Sequence, residues 1–227
     1  MFRRLARLAL ACTLAAATVT TATAGGFGAP PSAGAPMPVA DRAEPDPDTA
    51  IVRMRPALSD AARQRLRAVL GKHRDQNLRA FAGYVRRGVF PHNFENDGRL
   101  NVWRDREGHL CAAATMISRS GARKLVAKVA RTDNFIRLAD VTEGPLLDWI
   151  LTSGLTHAEV VAIQEPFMGN EPDLPARDWR TAEDARLRAR YAEVRAQLAA
   201  DRDASLDAAI DALALHPELV AKLIGAA

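Results

Sequence analysis

The chain has 227 residues, of which 48% are hydrophobic and 26% charged, and its formal net charge is +4. Three of its 31 basic residues, Arg3, Arg4 and Arg7, lie at the extreme N-terminus, so the remainder carries a net charge of about +1. So balanced a chain lacks the concentrated positive charge that displaces counterions from phosphates, which excludes nucleic acid as an expected partner.

The first 24 residues have the pattern of a secretory signal peptide. Basic residues are followed by the apolar run Leu8 to Val19, and Ala22-Thr23-Ala24 supplies the small residues that a signal peptidase reads. The run is too short for a transmembrane helix, which needs about 20 apolar residues. We therefore predict a secreted or periplasmic protein that begins at Gly25 and retains no transmembrane segment.

Removal of this segment leaves one cysteine, Cys111, and hence no internal disulfide. An alternative is that Cys12 carries a lipid anchor, but Ala9 stands three residues before it where leucine is usual. Residues 25–50 are rich in glycine, proline and alanine and offer few large apolar side chains. We expect this segment to be a disordered tether, because it cannot offset the entropy lost on ordering.

A long helix is predicted to start at Ser59-Asp60, since apolar residues then recur at spacings of three and four as far as Val85. Gly71 and Gly83 leave open whether this is one kinked helix or two shorter ones. Gly88, with Pro91 beyond it, predicts the end.

The next segment predicts a β-hairpin. Residues 99–104 alternate in polarity, Glu107-Gly108 is a turn signal, and His109 to Ile117 is a second apolar run. Asn134 to Leu138 is the candidate for a third strand. The predicted fold class is therefore α+β, predominantly helical, with one short antiparallel hairpin packed on helices.

Further helices are predicted from capping signals. Ser120 opens one that runs to Arg131, Pro145 opens one that ends at Gly154, and Thr156 with Glu159 forms a capping box for His157 to Gln164. Beyond a proline-rich connection, Leu187, Tyr191, Val194 and Leu198 line one face of a helix over residues 179–200. A returning helix and a short one opened by Pro217 follow. The predicted domains are an α+β core over residues 51–165 and a C-terminal helical hairpin over residues 166–227 that packs on it.

Polar residues are densest between His73 and Cys111. The candidate catalytic residues in this region are His73, His92, Glu95, Asp97 and Cys111. His73 and Asn77 share the inner face of the first helix, as a site or as a structural hydrogen-bond network. Cys111 is either a thiolate activated by a histidine or an inert core thiol.

No cofactor or metal ion is predicted. Asn93 to Gly98 resembles the opening of a calcium loop, but the twelfth position holds Arg104 in place of glutamate. The carboxylates Glu95, Asp97, Asp105 and Glu107 suggest glycoside hydrolysis without fixing a pair. The sequence has no phosphate-binding glycine loop, no dinucleotide motif, and no histidine spacing typical of zinc.

Three functions remain. The first is an exported, non-catalytic binding or envelope-associated module for an extracytoplasmic partner or small ligand. The alternative is a secreted hydrolase that uses the region from His73 to Cys111. The third is a thiol-dependent activity centred on Cys111.

Export generates the first testable prediction. Mass spectrometry of the protein from the extracytoplasmic fraction of its own cells should give an N-terminus at Gly25, because peptidase cleaves after the small residues that end the apolar run. Material purified from the cytosol with Met1 intact would contradict it.

Overall fold

The computed structural model describes residues 58–95, 97–169 and 175–225, so the predicted signal peptide and tether lie outside the described residues. The described residues are 68% helical and contain no β-strand, which overturns the predicted α+β class. The eight α-helices of the described residues are α1 (Asp60–Arg87), α2 (Ala112–Arg119), α3 (Arg123–Thr132), α4 (Gly144–Thr152), α5 (His157–Ile163), α6 (Ala176–Ala200), α7 (Arg202–Leu213) and α8 (Pro217–Ile224).

The hairpin prediction was wrong because the second apolar run is a helix. Residues 112–117 are all buried in α2, so the run shows no helical periodicity, although alanine has the highest helix propensity. The chain does reverse before it, but only one isolated antiparallel bridge, Arg104 to Leu110, forms there. The candidate third strand is also wrong, since its end forms a 3₁₀ turn at Leu138–Asp140.

Helix α1 is a single helix of 28 residues, which decides between the two alternatives. The Ser59 hydroxyl accepts a hydrogen bond from the Ala62 N–H at 3.2 Å and caps its start. Gly88 ends it in the left-handed conformation, at φ 63°, as the sequence predicts.

Two apolar clusters make up the core of the described residues. The larger one surrounds α2 and includes four interleaved aromatic rings, of Phe81, Tyr84, Phe90 and Tyr191, with centroids 5.3–5.6 Å apart. The smaller one joins Leu66 and Leu70 of α1 to residues of α4, α7 and α8. Helix α1 therefore contributes to both clusters.

Later helix boundaries agree with their capping signals, with one exception. The capping box of Thr156 and Glu159 opens α5, and Pro217 opens α8. The exception is Ser120, predicted to open α3, which instead ends α2: its hydroxyl donates to the Ile117 carbonyl and accepts from the Trp149 indole at 2.8 Å.

The C-terminal helices all contact the rest of the described chain. The seam of α6, Leu187, Tyr191, Val194 and Leu198, is buried in the larger cluster. Helices α7 and α8 cover the smaller cluster, and α6, α7 and α8 each pack on α1.

A buried ion pair connects α1 to this C-terminal region. The Arg74 side chain is fully buried, and its guanidinium donates to both oxygens of Glu159, at 2.7 and 2.8 Å. It also donates to the carbonyls of Gly154 and Leu198. Glu159 accepts a further bond from the Ser205 hydroxyl at 2.8 Å, so one buried charge links α1, α5, α6 and α7.

In the described part of the chain, no single helix has the length and apolar character to cross a membrane. Helices α4 and α5 meet that criterion only when counted together, and they are bent by 103° at the turn between them.

Glycine is required at that turn, which generates the second prediction. Gly154 has a φ of 77°, and a Cβ there would lie 2.0 Å from the Leu70 carbonyl oxygen, whereas Gly144 has a φ of 78° with nothing within 4 Å. Replacing Gly144 by alanine should cost about 1–2 kcal/mol of backbone strain. Gly154→Ala adds a clash with backbone and should cost about 3 kcal/mol or more. Urea denaturation of both variants measures the difference, and equal losses would contradict the close approach.

Candidate functional site

The five candidate residues do not converge on one site. His73 lies on α1 with its Nδ1 atom 2.7 Å from the Thr152 carbonyl oxygen, and Asn77, one turn later, donates to the Ser153 carbonyl at 2.9 Å. Both contacts join α1 to the end of α4. The structure therefore uses this polar pair to hold two helices together.

Cys111 is buried and caps α2. Its sulfur accepts a hydrogen bond from the Ala114 N–H at 3.4 Å, and the residue is only 2% exposed. Burial raises the pKa of the thiol to about 12, so it is neutral at physiological pH. A neutral, buried thiol is a poor nucleophile, which favours the inert core thiol over the thiolate–imidazole pair.

The loop over residues 91–110 is organised around the carboxylate of Asp105. Its side chain is fully buried and accepts hydrogen bonds from the backbone N–H groups of His92 at 3.0 Å, Glu107 at 3.0 Å and His109 at 2.8 Å. These bonds join the start of the loop, at His92, to the turn near its end, at Glu107 and His109. Asp105 thereby fixes the backbone that carries the other polar side chains.

Two histidines and two carboxylates meet at this point, and we refer to His92, Asp105, Glu107 and His109 as the loop cluster. The Nδ1 atom of His109 lies 3.0 Å from the Asp105 Oδ2 atom and 3.4 Å from the Glu107 Oε2 atom. The Nδ1 atom of His92 lies 3.8 Å from the same Glu107 oxygen. Ligand atoms of His92, Asp105 and Glu107 lie within 4.8 Å of one another.

The surroundings favour a charged carboxylate and a neutral imidazole. Burial opposes ionisation of Asp105, but the N–H groups of His92 and His109 outweigh it, so the pKa of Asp105 lies below its usual value. Burial, followed by the positive charge of Arg180, lowers the pKa of His92. Arg180 is held by the Phe90 carbonyl at 2.8 Å and by Asp184 at 3.2 Å.

A small cavity of about 220 Å³ adjoins the cluster. Phe94, 40% exposed, stands edge-on to the His92 ring at 5.0 Å, and the Arg106 guanidinium lies 5.7 Å from the Phe94 ring centroid. Glu95 pairs with Arg106 at 3.2 Å on the exposed rim. Asp97 is exposed on the same loop.

Asn93, the first residue of the calcium-like segment, is buried and serves the loop backbone. Its amide nitrogen donates to the Gly98 carbonyl at 2.8 Å, and its amide oxygen accepts from the Glu95 N–H at 3.0 Å. Asparagine at this position is therefore explained by the turn that its side chain stabilises.

His92 lies in the polar region of the sequence, but its contacts with Asp105, Glu107 and His109 were not predicted. The segment Asp105 to His109 carried a local signal, a tight turn with an acidic residue before glycine. The hydrogen bond between Asp105 and the backbone of His92, 13 residues earlier, is a tertiary contact that no local sequence pattern indicates.

Comparison with protein-family models, with curated proteins and with solved structures found no match.

The burial of Cys111 gives the third prediction. In the native protein the thiol should not react with 5,5′-dithiobis(2-nitrobenzoic acid) at pH 8 on the timescale of minutes, because it is neutral and enclosed. In 6 M guanidinium chloride the same thiol should titrate fully. Rapid stoichiometric reaction in the native state would contradict the inert role.

Proposed function

We propose that the protein is an exported, non-catalytic binding protein whose ligand contacts the loop cluster. The observation that carries this proposal is the convergence of two imidazoles and two carboxylates on one loop whose backbone Asp105 holds in place. Export rests on the N-terminal sequence alone.

Access and rigidity support a binding role. The side chains of His92, Glu107 and His109 are 21%, 52% and 33% exposed, so a ligand can reach them from solvent. Asp105 is fully enclosed behind them. Polar groups that are fixed before binding lose little conformational entropy when a ligand arrives, which favours affinity.

A secreted hydrolase is the second candidate, and one contact favours it. Asp105 lies 3.0 Å from the Nδ1 atom of His109, and a carboxylate at that nitrogen can orient an imidazole for general acid–base catalysis. In this candidate His109 is the catalytic base and Asp105 its positioning residue. The neutral thiol of Cys111 does not support a thiol-dependent variant of this chemistry.

The fourth prediction tests ligand binding at the cluster. Thermal denaturation of the mature chain is followed with a panel of ZnCl₂, CaCl₂, inorganic phosphate, citrate and N-acetylglucosamine. At a hundredfold excess over its Kd, a ligand stabilises by about 2.7 kcal/mol, or roughly 5–10 °C for a chain of this size. The double variant His92→Gln/Glu107→Gln should lose that shift. The matched control Glu95→Gln/Asp97→Asn, altered in the same loop, should keep it.

A panel in which no probe gives a shift that depends on the cluster would contradict the binding role. Hydrolysis of p-nitrophenyl acetate that His109→Gln abolishes, with the melting temperature intact, would replace it with the hydrolase.

A further inference from the structure

Three residues of the loop cluster, His92, Asp105 and Glu107, have the spacing of a metal site, because their ligand atoms all lie within 4.8 Å of one another. In a tetrahedral site with bonds of about 2.0–2.1 Å, neighbouring ligand atoms lie roughly 3.3 Å apart. The His109 Nδ1 atom lies 3.0 and 3.4 Å from the Asp105 and Glu107 oxygens, and the His92 Nδ1 atom lies 3.8 Å from the Glu107 oxygen. The spacing of His92 and Glu107 is therefore close to that of two ligands of one ion, and His109 lies beside both carboxylates.

The charge of the cluster matches a divalent cation. Asp105 and Glu107 are two carboxylates, which can together balance a charge of plus two, and neutral imidazole is the form of histidine that ligates metal. The guanidinium of Arg180, whose positive charge acts on His92, is bonded to the Phe90 carbonyl and to Asp184.

Contacts outside the proposed ligand set hold the ligand side chains in place. Three backbone N–H groups fix the Asp105 carboxylate, and the Phe94 ring packs against the edge of the His92 ring. Such outer contacts orient the ligands of metal sites and add to their affinity. The His109 ring, whose Nδ1 atom contacts the Asp105 and Glu107 oxygens, is a further outer contact of this kind.

We propose that His92, Asp105 and Glu107 bind one divalent transition-metal ion through one ring nitrogen of His92 and one oxygen of each carboxylate. The mixture of imidazole and carboxylate ligands favours Zn²⁺ and its neighbours in the first transition row over Mg²⁺ and Ca²⁺, which prefer oxygen alone. This inference rests on the proposed binding function and names the ligand class of the same site.

The fifth prediction tests this site by isothermal titration calorimetry of ZnCl₂ into the mature chain after dialysis against a chelator. The wild type should bind one ion per chain, and 1 mM MgCl₂ or CaCl₂ should not displace it. His92→Gln and Glu107→Gln should each weaken binding at least tenfold, since each removes a ligand. The exposed controls Glu95→Gln and Asp97→Asn should stay within twofold.

A second readout separates ligation from a merely structural effect. Two-bond ¹H–¹⁵N spectra of the histidine rings should show that Zn²⁺ shifts the ring nitrogen resonances of His92 and leaves those of His73 and His216 in place. Circular dichroism and the melting temperature of each variant verify that it is folded.

The outcomes distinguish the two proposals. The metal site is overturned if Zn²⁺ does not bind, or if the cluster variants and the control variants weaken its binding equally. If phosphate or citrate then stabilises the protein in a manner that His92→Gln/Glu107→Gln abolishes, the binding role stands with a different ligand. If no probe does so, both fall.

Discussion

The fold depends on neutralising one buried charge. Arg74 carries a guanidinium into the interior, where an unpaired charge would cost several kcal/mol. Glu159 meets it with two parallel hydrogen bonds, and burial, which alone would raise the pKa of Glu159, is outweighed by Arg74 and by the Thr156 N–H, so that pKa lies below its usual value. Because the two terminal nitrogens of Arg74 also donate to the carbonyls of Gly154 and Leu198, the planar fork of arginine fits here and the single ammonium of lysine does not. The ion pair therefore joins α1 to α5 and α6 directly, and to α7 through the bond between Glu159 and Ser205.

The candidate site follows the same principle at a smaller scale. Asp105 is a fully buried acid, and the N–H groups that satisfy it belong to the loop that carries His92, Glu107 and His109. The interaction that stabilises the loop therefore also determines where its imidazoles lie. A substitution at Asp105 would disturb the fold of the loop as well as ligand binding. The exposed Glu107 is therefore a better position at which to test binding alone.

Local signals account for most of what could be predicted from sequence. The ends of α1, α5 and α8 are specified by Ser59, Gly88, the capping box of Thr156 and Glu159, and Pro217, because caps act within one helical turn. The strand prediction failed at Cys111 to Ile117, where burial on every side removes the periodicity that separates helix from strand.

The same limit applies to the site. His92 was predictable as a polar residue in a polar loop, whereas Glu95 and Asp97 beside it looked equally suitable and lie on the exposed surface. His92 differs from Glu95 and Asp97 because its backbone N–H donates to the Asp105 carboxylate, a tertiary contact between residues 13 positions apart. Spacing along the chain gave no reason to pair them.

Helix α1 has one further consequence. At 28 residues it is about 42 Å long, and its first half lines one apolar cluster while its second half lines the other. If either cluster loses its packing, apolar residues of α1 become exposed, and α1 is the helix on which the other cluster also packs. The two are thereby thermodynamically coupled, and the described part of the chain is expected to melt in a single cooperative transition.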